Sequence, residues 1–176
     1  MNGQIIIHLV MVLIVVVSGC IDHTNEEADE SGERINGVFT NIVDGDTYDF
    51  RSESGTEYRI RILGVDTPEV HSDNDPDFWG ECGFSEEYLK EWGEMSTDFV
   101  KDNYDGAEVE IEKRGIDPYD RQRAKVFTQD NSSLSRILLK EGYANTFTAR
   151  AFPEMQDYLE LEEKAREEGK GIWESC

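Results

Sequence analysis

Cysteine, histidine and basic side chains are all scarce in this chain. Three cysteines and three histidines occur in 176 residues, with no Cys-x-x-Cys pair and no Cys/His cluster. That excludes a structural zinc module and a disulfide-dense scaffold. Seventeen Lys and Arg stand against 39 Asp and Glu, a formal charge of −22. A nucleic-acid binder is expected to be basic, so only a local grouping of cations can place the chain in that class. No apolar run reaches the about 20 residues that cross a bilayer as a helix. No internal repeat is visible, and the length fits one globular domain.

The longest apolar run, residues 5–17, is broken only by His8 and fits the core of a secretory signal. It ends in Val17-Ser18-Gly19-Cys20, which resembles a lipobox, with Cys20 as the lipidated residue. No Lys or Arg precedes the run, which leaves an uncleaved membrane anchor as the alternative. Residues 21–34 hold six acids, one base and almost nothing apolar, too little to offset the entropy of ordering them. The expected organisation is a signal peptide at 1–19, a lipid-anchored acidic tether at 20–34 and a folded domain at 35–176. That domain lies outside the cytoplasmic membrane, lipid-anchored or secreted. The remaining acids, still −17 net, are spread along the domain as on a surface adapted to high salt, where the Debye length falls to about 3 Å. Cys82 and Cys176 form an even pair in an oxidising compartment; a disulfide and two free thiols are both open.

Alternating residues at 36–44 predict a first strand, with Val38, Thr40 and Ile42 opposed to Phe39, Asn41 and Val43. Strands follow at 47–51 and 56–64, the latter with Tyr58, Ile60 and Ile62 on one side and Arg59 and Arg61 on the other. An irregular acidic loop occupies 71–83. A helix at 85–104 is capped by Ser85 and shows an apolar stripe of Tyr88, Leu89, Trp92, Met95 and Phe99. Two more strands (107–113 and 121–128) and two helices (132–141 and 152–168) complete an α+β domain with a small antiparallel barrel.

Three motifs carry the chemistry: Val43-Asp44-Gly45-Asp46-Thr47, Arg61-Ile-Leu-Gly-Val-Asp66-Thr67-Pro68-Glu69, and Asp117-Pro-Tyr119-Asp-Arg121. Asp46 and Asp66 end neighbouring strand segments, a setting for a hard cation that takes oxygen ligands. Taken alone, Asp-Gly in the first motif reads as a hairpin turn. Glu69 follows Pro68, whose fixed φ stiffens a carboxylate that would orient a water. Arg61 and Arg121 present planar forks that match two phosphate oxygens. Arg123 and Lys125 would share the face of Arg121, either gripping phosphates or lying solvated.

In their order, the three motifs resemble the thermonuclease family, the calcium-dependent nucleases of staphylococcal nuclease type. The resemblance implies a five-stranded OB-type β-barrel with about three added helices. It implies Ca2+ held by Asp46, Asp66 and the backbone carbonyl of Thr67, with Asp44 nearby. Glu69 would be the general base, Arg61 and Arg121 the catalytic phosphate partners, and Tyr119 the residue that stacks on a base or contacts the nucleotide. Arg123 matches no motif of the family and is counted as substrate-binding from its strand face alone. The substrate implied is DNA and/or RNA, cleaved to 3′-phosphate ends by a monomeric enzyme. The tyrosines the family often shows after the second helix are missing; Thr148 and Arg150 stand near those positions, with Phe147 or Phe152 as candidate replacements. Two rival readings are a non-catalytic nucleic-acid-binding OB domain and an acidic calcium-binding cell-surface protein. The loop 72–77 mimics the start of a calcium loop but lacks its glycine and distal glutamate, and His71 has no visible partner.

Overall fold

The computed structural model describes residues 32–176; the signal-like run, Cys20 and nearly all of the acidic tether lie outside the described residues. Five strands close a barrel in the order β1 (Arg34–Asp44), β2 (Thr47–Ser52), β3 (Glu57–Ile62), β6 (Gln122–Phe127), β5 (Glu108–Ile116). Every pairing is antiparallel except β3 with β6, which run parallel. Short strands β4 (Val65–Asp66) and β7 (Asn145–Thr146) pair beside the barrel, and α1 (Glu86–Tyr104), α2 (Leu134–Lys140) and α3 (Met155–Glu167) pack around it. This is the expected α+β architecture of an OB-type barrel with three added helices.

Several local expectations change. β1 begins at Arg34, one residue inside the segment read as tether, because Arg34 pairs with Glu112 and Lys113 N–H donates to the Glu33 carbonyl at 2.9 Å. The alternation expected in β1 breaks at Thr40, where a register shift lets both Phe39 and Ile42 point into the core. Such a bulge adds one residue and bends the strand. β3 stops at Ile62 rather than continuing to Gly64; Gly64 takes φ +80°, and a Cβ there would meet the Phe152 ring at 2.6 Å. The break redirects the chain so that Asp66 comes back toward the barrel mouth.

α1 starts as expected, with Ser85 Oγ accepting from Tyr88 N–H at 3.2 Å. Its buried face is Leu89, Trp92, Gly93, Ser96 and Val100, whereas Met95 is 40% exposed and leaves the expected stripe. Gly93 disfavours a helix by about 1 kcal/mol relative to Ala. Here its bare Cα admits the Pro68 carbonyl, which a Cβ would approach to 2.6 Å.

The core has two parts. The barrel interior is filled by Phe39, Tyr48, Phe50, Ile60, Ile111 and Val126, roofed by Leu134 and Leu138 of α2. A second cluster of Trp79, Phe84, Leu89, Trp92, Ile172 and Trp173 lies under α1 and the C-terminus. Trp79 belongs to a 3₁₀ turn, Pro76–Cys82, in the stretch read as an irregular acidic loop. A Cys82–Cys176 disulfide joins that turn to the C-terminus and settles the open pairing. Arg166 stacks on Trp173 at 3.7 Å and reaches the buried Glu162 at 2.7 Å, so the cation is matched beside the aromatic face.

Candidate active site

The two-residue turn between β1 and β2 is a hairpin that also aims an acid inward. Asp44 Oδ1 accepts from Asp46 N–H at 3.2 Å, and Tyr48 O–H donates to the Gly45 carbonyl at 2.6 Å. Asp46 is consequently buried, 2% exposed. One of its oxygens accepts from Thr47 Oγ1 at 3.0 Å, the other from Thr67 N–H at 3.1 Å. The acid thus fastens the turn to the segment after β4. Arg61, beside Thr47 in the β2–β3 register, bonds both Asp46 and Asp66.

Arg121 is set by the turn before β6. Asp117 accepts from the Arg121 backbone N–H at 2.8 Å, its Nε at 2.7 Å, and the Tyr119 N–H at 2.9 Å. Asp120, at φ +63°, completes the turn. Arg121 Nη1 reaches Thr47 Oγ1 at 3.4 Å, so the two arginines are linked through Thr47 and Asp46. Tyr119 is 79% exposed with the Arg121 guanidinium 5.3 Å from its ring centre.

Glu69 is held by its backbone. Asn74 Oδ1 accepts from Glu69 N–H at 2.7 Å and Asn74 Nδ2 donates to the Glu69 carbonyl at 3.0 Å. The Asn74 N–H in turn donates to Glu86, in the first turn of α1, at 3.1 Å. Among the described residues no donor bonds the Glu69 carboxylate, which leaves it free to accept a proton.

Burial raises the pKa of Asp44 and Asp66 above the ordinary carboxylate value; Arg61 opposes this at both, while the charges of Glu69 and Asp44 add to it at Asp66. Burial also works on Asp117, but the Arg121 and Tyr119 donors outweigh it and hold that carboxyl below its usual value. Asp46 and Asp66 both bond Arg61, and Asp44 lies within the influence of Arg61 and Arg121. Among the described residues no three His, Cys, Asp or Glu side chains converge into a ready-made ion cage, because Arg61 lies between Asp46 and Asp66. The donor set still suits calcium, which takes hard oxygens and completes its shell with backbone carbonyls and water.

Beside this cluster opens a cavity of about 590 Å³. Arg61, Arg114, Arg121, Arg123 and Arg150 line it, five of the ten arginines in the chain. Leu63, Phe147 and Phe152 supply an apolar wall. The cationic grouping that the composition conceals is therefore local.

The profile of the staphylococcal nuclease homologue family matches residues 59–175, two thirds of the sequence. The chain belongs to that family. A Methanocaldococcus jannaschii protein, named only as uncharacterized, is 29% identical over 192 residues, 94% of this chain and 92% of its own length. The thermonuclease of Staphylococcus intermedius is 27% identical over 181 residues, covering 98% of this chain and 96% of that protein. Endonuclease YhcR of Bacillus subtilis is 27% identical over 143 residues, 78% of this chain but 11% of that protein.

In this staphylococcal nuclease homologue, Asp46, Asp66, Thr67, Arg61 and Arg121 meet at one barrel mouth, and Tyr119 and Arg123 line the adjoining cavity. Lys125 shares the strand face but is bound to Glu154 and stays out of the cavity. Sequence reading gave no role to Asn74 or Arg114. Asn74 sat in a loop without periodicity, and nothing local marks it. Arg114 could have been found only from the register of β5.

Proposed function

We propose that the chain is a calcium-dependent phosphodiesterase that hydrolyses DNA and/or RNA to products with 3′-phosphate ends. The observation that carries this reading is the linkage of Arg61 and Arg121 through Thr47 and Asp46 at the mouth of an arginine-lined cavity. Both guanidiniums present planar forks that match phosphate oxygens, where they would stabilise charge growing in the transition state. Glu69, with an unbonded carboxylate on a pinned backbone, takes the proton of the attacking water. Water attacks in line, opposite the 5′-oxygen that leaves. Calcium, held by Asp46, Asp66 and the Thr67 carbonyl, would supply positive charge against a phosphate that these acids otherwise repel. Tyr119 offers an exposed ring for a base, and stacking tolerates any base.

The test is digestion of plasmid and single-stranded nucleic acid, with calcium or with chelator, across a salt series. Cleavage that needs calcium is expected. Full activity in excess chelator would remove the metal assignment, and retention of nucleic acid without cleavage would make the chain a binding module. The sequence around Cys20 further supports an enzyme anchored by lipid outside the cytoplasmic membrane. Normal processing and membrane retention of Cys20→Ser would overturn that anchor.

A further inference from the structure

Arg61 and Arg123 are register partners on the parallel strands β3 and β6. Neighbouring strands lie about 4.8 Å apart, and the burial pattern sends both arginines to the outer face while Ile62 and Ala124 point inward. Like charges directly opposite one another destabilise a sheet. The Arg61 charge is met by Asp46 and Asp66. Among the described residues, no carboxylate lies within ion-pair distance of Arg123, in a chain where acids outnumber bases by more than two to one.

Arg123 is also placed rather than loose. Its Nε is buried without a hydrogen-bond partner; the Nε of Arg114, across the β5–β6 pair, is likewise unmatched, although the Arg114 fork is also bonded to Glu112. An unmatched buried donor costs free energy unless a ligand takes it. Gly115 leaves room for the fork: a Cβ there would stand 3.3 Å from Arg123 Nη2. Arg150, exposed and likewise without a carboxylate among the described residues, lines the same cavity. The cavity is continuous with Arg61 and Arg121, and its Phe147 and Phe152 wall suits a base between two phosphates.

We propose that Arg123, supported by Arg114 and Arg150, forms a second phosphate subsite that grips the phosphodiester next to the scissile one. The ligand class is a polynucleotide strand with at least two consecutive charged linkages. The inference rests on the nuclease reading, in which Arg61 and Arg121 hold the scissile phosphate. A contact to a non-reacting phosphate is present in ground and transition states alike, so it acts on KM rather than kcat.

The test is a cycle on short oligonucleotides. Wild type and Arg123→Gln are compared on trinucleotides whose flanking linkage, 5′ or 3′ of the cleaved one, is either a normal phosphodiester or a neutral methylphosphonate. Neutralising the linkage on one side is expected to lower wild-type kcat/KM by about 10- to 100-fold, the scale of one charged hydrogen bond, through KM. Arg123→Gln should show the same loss on the charged strand and less than about a threefold further loss on the neutral one. Equal losses on both strands, or none on either, would overturn the subsite. If wild type cleaves none of these strands, the nuclease reading fails. The same cycle read as Kd in chelator then decides the subsite by itself, with the same charged-versus-neutral contrast expected.

Discussion

Removing the Cys82–Cys176 bridge should cost this protein a large part of its stability while leaving the barrel intact. The bond closes a loop with a sequence separation of 94, which contains α1, β5, β6, α2, β7 and α3 but leaves β1 to β3 outside. In the chain-entropy account a loop of about 100 residues loses some 4.7 kcal/mol of denatured-state freedom. The unfolding entropy of a domain this size is about 0.3 kcal/mol/K, so the loss corresponds to a Tm lower by about 15 °C. The assay compares wild type with Cys82→Ala/Cys176→Ala by calorimetry and urea titration at one fixed high salt. Because the effect lies in the denatured state, the variant should also show a larger urea m-value, its unfolded chain exposing more surface. A Tm within about 4 °C of wild type and an unchanged m-value would refute the loop-entropy reasoning; strain relief in the native state would then be the compensating term.

Calcium should raise the Tm, and the rise should shrink as pH falls. Burial raises the Asp44 and Asp66 pKa, so each folded-state carboxyl protonates at a higher pH than in the unfolded chain and protons compete with the cation; a calcium shift that grows on acidification would contradict the assignment. Asp117 has the opposite sign: its folded pKa is depressed, so its contribution is complete above the ordinary carboxylate value and disappears as pH falls through the folded one, and Asp117→Asn should flatten the acid limb of the Tm–pH curve. Asn74→Ala, which frees the Glu69 backbone, should lower kcat about tenfold, the cost of about 1.4 kcal/mol in positioning, with KM nearly constant; steady-state kinetics check the split. Arg121→Ala should reduce turnover by about 10²–10³ while ground-state nucleotide affinity weakens less; intact turnover would end its catalytic role.

Much of this architecture was legible before the fold was seen, and the exceptions are instructive. Period-2 runs such as Tyr58-Arg-Ile-Arg-Ile predicted β3 and its two faces, because side-chain alternation depends only on local geometry. The bulge at Thr40 escaped because it is imposed by pairing with β2 and leaves no mark on β1 itself. Gly93 reads as a helix weakness until the Pro68 carbonyl is placed against it. The acid and arginine motifs were readable as clusters of chemically matched residues, yet their wiring through Thr47 was not, since a threonine in a strand carries no distinguishing pattern. The cavity was least visible of all. Arg114, Arg123 and Arg150 lie on β5, β6 and the loop after β7, and no linear spacing brings them together.

The parallel β3–β6 pair has a consequence for how activity begins. β1, β2 and β3 follow one another through short turns, and β5 joins β6 likewise, so each set can form from neighbours in sequence. Joining β3 to β6 bridges the whole of α1 and β5, and the β1–β5 pairing that closes the other side of the barrel is as distant. Such closures are slow because chain entropy is lost before contacts repay it. Arg61 belongs to one set and Arg121 and Arg123 to the other. On the proposed reading, in which Arg61 and Arg121 hold the scissile phosphate together, neither half carries the full phosphate grip, and cleavage requires the closed barrel. Recovered nuclease activity should therefore lag behind recovered far-UV dichroism during refolding, and simultaneous recovery would show that closure is not the late event.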